Sequence, residues 1–281
     1  MAAAAGAVVA ALVGVMVAPL SGQQAPAYRA PRAADGHPDL NGIWQALNEA
    51  NYDVEMHMAR PALQTRQGPY GPVPAPPVLP LGAVAAVPPG VGVVDGEIPY
   101  KPEAVAQRNK NRENWSTLDP EVKCYLPGVP RATYMPQPLQ IFQTNSAFFI
   151  SYQYAGAVRN IYLKDPGPAP VDSWMGQSVG RWEGETFVVD VTGMNDSTWF
   201  DRAGNYHSDK LHVVERYTRT APDVITYEAT IEDPNVFTRP WKMSMPLYRR
   251  LDKGVQLMDF KCVEFVEELM YGQWRKQPLT R

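Results

Sequence analysis

Histidine and cysteine are scarce in this chain, with four and two among 281 residues. His207 and His212 with Glu215 have the right types for a metal. On a strand, however, positions five apart face opposite ways, and His37 and His57 lie in unrelated segments. No metal is therefore expected. CxxC, P-loop and dinucleotide motifs are also missing, so no cofactor is expected. Basic blocks are absent: 26 Lys+Arg against 29 Asp+Glu gives a net charge of −3, which argues against nucleic acid as the partner. No apolar run after Leu20 is long enough to cross a bilayer. Long helices are disfavoured by 28 prolines, about twice the usual ~5% share, because an internal proline removes a donor and clashes with the preceding turn.

What is present begins with a targeting segment. Ala2 to Leu20 is almost wholly Ala, Val, Gly, Leu and Met, and the first charge is Arg29. With the small-x-small triplet Ala25-Pro26-Ala27, residues 1–27 read as a secretory signal, the alternative being an uncleaved anchor. Export implies a periplasmic or extracellular protein. It would let Cys124 and Cys262 pair across the chain, the alternative being two separate buried thiols. A bridge would pin the irregular first half onto the second.

The two halves differ in texture. Residues 28–138 read as an extended arm, with eleven prolines between Pro61 and Pro102, a first strand entered through Asp39-Leu40-Asn41-Gly42-Ile43-Trp44, and a helix over Pro102 to Asn114. Residues 139–281 read as an antiparallel β body, the two parts forming one domain over 28–281. Strands are expected at Ile141–Thr144, Ala147–Tyr154, Val158–Leu163, Ser178–Trp182, Thr186–Met194, Leu211–Arg219, Val224–Ile231, Trp241–Tyr248 and Val255–Cys262. Ile225, Tyr227, Ala229 and Ile231 alternate with polar residues, as do Trp241, Met243, Met245 and Leu247. That period of two means one dry face and one wet face. A sheet of this size curls, and closing it into a barrel removes its exposed edges.

Three groups carry candidate chemistry. Gly176-Gln177-Ser178-Val179-Gly180 has the form of a nucleophile elbow, but another strand follows where the motif needs a helix. Asp196, Asp201 and His207 form an acid/base set in a polar loop between strands, against the bland reading that Asn, Asp, Ser and Gly there cap their own turns. Trp199, Tyr152, Tyr217, Arg216 and Trp241 are the candidate ligand contacts, although most large aromatics on such strands must be core.

Several stretches together carry a resemblance. They include Asp35 to Trp44, Asp119 to Arg131, Trp174 to Asp190, Asn195 to Asp201, His207 to Arg216 and Ile231 to Trp241. In this order they resemble a widespread group of uncharacterised secreted bacterial proteins. No catalytic residue comes with that likeness. Gly42-Ile43-Trp44 is also similar to the G-x-W of lipocalin-type barrels, which implies a barrel with an internal cavity.

The expectation is an exported, all-β protein, a curled antiparallel meander or lipocalin-like barrel with a Pro-rich arm and one short helix. It would bind a small, largely apolar or aromatic molecule in the barrel. The competing class is a lyase, isomerase or hydrolase working through Asp196, Asp201 and His207. A third is an envelope structural protein whose arm contacts partners.

Overall fold

Strand-forming sequence in this protein is organised by closure. The structure, a computed structural model, describes residues 28–59, 65–74 and 86–266. The expected signal segment 1–27 and parts of the Pro-rich run lie outside the described residues. The strands in chain order are β1 (Gly42–Ala46), the separate hairpin β2 (Thr65–Gly68) and β3 (Gly71–Pro74), and β4 (Gly92–Val93). Then come β5 (Leu139–Gln143), β6 (Phe148–Tyr152), β7 (Val158–Tyr162), β8 (Gln177–Glu183), β9 (Thr186–Thr192), β10 (His212–Ala221), β11 (Val224–Glu232) and β12 (Trp241–Arg249).

Nine strands form a closed barrel in the order β1-β5-β6-β7-β8-β9-β10-β11-β12, with β12 returning to β1. Trp44 on β1 lies opposite Leu139 on one side and Arg249 on the other, which is the closing seam. β4 adds a short outer strand opposite Met243 and Ser244. The alternation read from the sequence holds on β11 and β12, whose Ile225, Tyr227, Ala229, Met243 and Leu247 are fully buried.

Two expectations are corrected. The wall is mixed, because β7 and β8 run parallel through Ile161↔Ser178 and Tyr162↔Val179. The proline-bearing connection between them carries the chain from the end of β7 back to the side where β7 began, a crossover rather than a hairpin. Secondly, Val255–Cys262 is not a strand. β12 already has β11 on one side and β1 with β4 on the other, so no edge is left for it to join.

The non-barrel parts are fastened from outside. Helix α1 (Pro102–Glu113) starts on a proline whose fixed φ suits the first turn, with Glu103 near its N-terminus and Lys110 and Arg112 near its C-terminus, as the helix dipole favours. A second helix, α2 (Trp115–Leu118), follows at once. The arm crosses the β8–β9 hairpin, where His37 stacks on Trp182 with centroids 4.7 Å apart. Cys124 and Cys262 form a disulfide with Cα atoms 5.8 Å apart, within the ordinary range for such a bridge. The tail it holds also donates from Phe265 N to Val122 O at 2.7 Å and packs Phe260 on Tyr154 at 4.7 Å.

Candidate functional site

The inner face of the barrel carries one polar cluster. Arg159 on β7 and Glu215 on β10 form a buried ion pair, with side chains 2% and 0% exposed. Glu215 Oε1 also accepts from the hydroxyls of Tyr217 (3.0 Å) and Tyr227 (2.8 Å). Arg159 donates through Nε to Ser178 Oγ at 2.7 Å and lies beside the Tyr152 hydroxyl. Burial pushes the Tyr217 and Tyr227 phenols well above their ordinary range, and Glu215 adds to it. Arg159 stays charged despite burial because Glu215 outweighs it. The cluster satisfies itself and stitches the short parallel seam between β7 and β8 from within. Ser178 is thus the acceptor for Arg159, and the elbow-like motif is ordinary strand. Gly180 leaves room for its neighbours, since a Cβ there would lie 2.7 Å from Ile161 Cγ2 and closer still to Phe187.

Around this cluster the barrel is filled. Ile150, Phe187, Val189, Tyr217, Tyr227 and Ala229 have no accessible surface, whereas a chamber wide enough for water would expose part of its wall. Tyr152 and Tyr217 do face inward, but toward Arg159 and Glu215 with no space between. Arg216, one residue from Tyr217, faces the other way and pairs with Glu183 on the outer wall at 2.8 Å. Trp241 closes one end of the interior between Phe200 and Phe237, both in edge-to-face contact at 5.5 and 5.6 Å. Among the described residues its buried indole N–H has no hydrogen-bond acceptor.

The loop between β9 and β10 caps that end. Asp196 is exposed, while Asp201 and His207 are buried. Asp201 accepts from Val54 N (2.9 Å), Asn205 Nδ2 (2.7 Å) and Asn205 N (3.1 Å), tying the cap to the arm. Burial and, after it, the neighbouring Asp53 charge push its carboxyl up to about 8 against the pull of those donors. His207 bonds Ser208 O through Nδ1 at 2.9 Å and Thr198 Oγ1 through Nε2 at 2.6 Å. Since Nδ1 must donate to the carbonyl, Nε2 accepts the threonine hydroxyl, and burial keeps the imidazole neutral by pushing its pKa below the usual value. A hydroxyl donating to a neutral imidazole has the form of a nucleophile and its base. Here Gly128 is packed directly on Thr198, and both side chains are buried, so no reacting group can approach. Asp196, Asp201 and His207 share no hydrogen bond; each bonds, if at all, to loop or arm. Trp199 is half-buried and packs on the small cluster of Tyr52, Trp115 and Val122.

A second charged cluster lies outside the wall. Arg131 makes a two-pronged pair with Asp119 at 2.7 and 2.8 Å and donates to Asn51 Oδ1 at 2.7 Å. Arg202 pairs with Glu121 at 2.9 and 3.1 Å while lying 4.8 Å from the Trp115 ring. Burial alone would raise Glu121, but Arg202 and Arg131 outweigh it and hold the carboxyl low. On the outer wall His212 meets Asp190 at 3.2 Å and Glu232 at 3.7 Å. Among the described residues no group of three or more His, Cys, Asp or Glu is placed to hold a metal.

Beside the cap opens a cleft of about 710 Å³ lined by Glu55, Met56, Gly96, Glu97, Ile98, Pro99, Tyr100, Val105 and Arg108. Arg108 on α1 pairs with Glu55 at 2.8 Å and reaches Asn205 Oδ1 at 3.4 Å. The Tyr100 hydroxyl donates to Asn205 Oδ1 at 3.0 Å and accepts from Tyr206 N at 3.2 Å, so both of its roles are engaged. Through Asn205 the cleft is hung on Asp201. Sequence reasoning missed Glu55, Tyr100 and Arg108, because they sit in irregular or Pro-rich segments without periodicity. It also missed Arg159 and Glu215, although parity was a usable signal: Arg159 shares a face with Ile161, and Glu215 with Val213 and Tyr217. Comparison with protein-family models, curated proteins and solved structures finds no match to this chain.

Proposed function

We propose that this is an exported β-barrel protein that binds a small, largely apolar molecule, and that the molecule lies in the cleft beside the cap. The observation carrying this reading is the cleft itself, whose size suits a small ligand and whose lining sets Met56, Ile98, Pro99, Tyr100 and Val105 beside the charged Glu55, Glu97 and Arg108. The filled interior argues against the chamber inside the wall. The disulfide supports an oxidising compartment, and among the described residues no helix is long and apolar enough to cross a membrane. Rigidity supports the reading too, because arm, helix and cap are tied together behind the cleft through Asn205. Native mass spectrometry of protein purified from its own host tests it. A retained small molecule, lost when Val105→Trp fills the cleft, is the expected result. Ligand retained equally by the filled variant would place binding elsewhere.

A further inference from the structure

We propose that the cleft selects a cationic ligand, an amine attached to an apolar body; this rests on reading the cleft as the binding site. Among the described residues its lining carries three charges, Glu55, Glu97 and Arg108. Arg108 and Glu55 cancel in a 2.8 Å ion pair that is mostly buried, with side chains 20% and 21% exposed. Arg108 is further held by Asn205 and Asn109, so its bonds point into the protein and along its own helix. Glu97 is exposed and, among the described residues, has no ion-pair partner. The uncompensated charge of the described lining is therefore negative.

Hydrogen-bonding capacity points the same way. Glu55 Oε2 takes Arg108 and Oε1 takes Ile98 N at 3.2 Å, one bond to each oxygen, while a carboxylate offers about four acceptor sites. Among the described residues nothing engages the Glu97 carboxylate. On the donor side, the Tyr100 hydroxyl is committed to Asn205, and Pro99 has no N–H. Arg108 commits three of its five N–H donors, to Asn205, Asn109 and Glu55, so among the described side chains of the cleft the free acceptors outnumber the free donors. A ligand ammonium meets acceptors between Glu55 and Glu97, with the Tyr100 ring and the polarisable Met56 sulfur nearby to favour a cation. An anion would meet an Arg108 charge already cancelled by Glu55 and would sit beside Glu97.

The test uses the full chain and three compounds on one skeleton: 4-phenylbutylamine, 4-phenylbutanol and 4-phenylbutyrate, measured by titration calorimetry at low salt. The amine is expected to bind about fivefold more tightly than the alcohol, with the carboxylate weakest. Glu97→Gln should shrink the amine's advantage and leave the alcohol unchanged. A carboxylate equal to or tighter than the amine, or an amine preference untouched by Glu97→Gln, overturns the charge selection while leaving the site standing. If none of the three binds, or if Val105→Trp leaves all three unchanged, the cleft is not the binding site and both readings fall.

Discussion

The two buried arginine–carboxylate clusters are alike in chemistry and unlike in setting. Arg159 and Glu215 project from strands of a closed wall, while Arg131 and Asp119 join short helical turns outside it. In the barrel, backbone ladders such as the one linking β10 and β11 carry most of the order, and the ion pair reinforces the one seam with only two paired positions. Outside, side chains replace the ladder, because irregular segments have few backbone partners for each other. One cluster mends a weak joint in a regular structure. The other is the joint.

The largest effects should come from orphaning one member of either pair. Glu215→Ala leaves Arg159 charged and dry and frees two phenols, so urea unfolding should show a loss of about 3–5 kcal/mol. Replacing both partners, Arg159→Met with Glu215→Leu, should recover most of it, since no buried charge remains. Arg131→Met should cost about as much by stranding Asp119, but limited proteolysis should then cut near residues 115–135 before the barrel opens. Equal protection of both regions in the two variants would erase the distinction between them.

Next in size is the bridge. Cys124→Ser with Cys262→Ser removes a link across a sequence separation of 138, and about 2–4 kcal/mol should be lost. Amide exchange should quicken first around Val122 and Phe265, while β10 and β11 stay protected. Uniform quickening would mean that the tail supports the wall as well.

A smaller effect lies in the cap. The Asp201 carboxyl is pushed up to about 8 in the folded state, against about 3.9 in an unfolded chain, so folding favours its protonated form. Its contribution is therefore lost as pH rises from about 4 to 8. His207, held below its usual value, has the opposite slope below about pH 6.5. Between pH 6.5 and 8 stability should thus fall with rising pH, by at most about 1.4 kcal/mol per unit for one proton. Asp201→Asn should flatten that stretch; thermal melts across it decide the point. The smallest effect is expected at Arg216, whose pair with Glu183 is well exposed: Arg216→Ala should cost under about 0.5 kcal/mol and leave ligand retention unchanged.

Arg216 and Tyr217 show how legibility works in this chain. Both were candidate ligand contacts, yet neighbours on a strand point to opposite faces, and the structure puts one outside and one inside. Parity alone assigns Glu215 to the inner face. What parity cannot supply is the partner, because Arg159 reaches it from a strand 56 residues away in sequence. The Asp196–His207 loop was legible as polar, and the reading that its residues cap their own turns accounts for His207 with Ser208 and Thr198 and for Asp201 with Asn205. The bond from Val54, by contrast, comes from a distant segment that no local pattern announces.

The sequence by itself determined that the chain is β-rich, where its strands begin and alternate, that α1 starts at Pro102, and that its two cysteines had only each other within the chain. These follow from local sterics, side-chain period and arithmetic. Closure through Trp44, the parallel turn of β7 against β8, the exclusion of Val255–Cys262 from the wall and the cleft behind α1 were decided only in three dimensions. Each depends on which edge is free when distant segments meet, and edges are properties of the assembled sheet rather than of any strand within it.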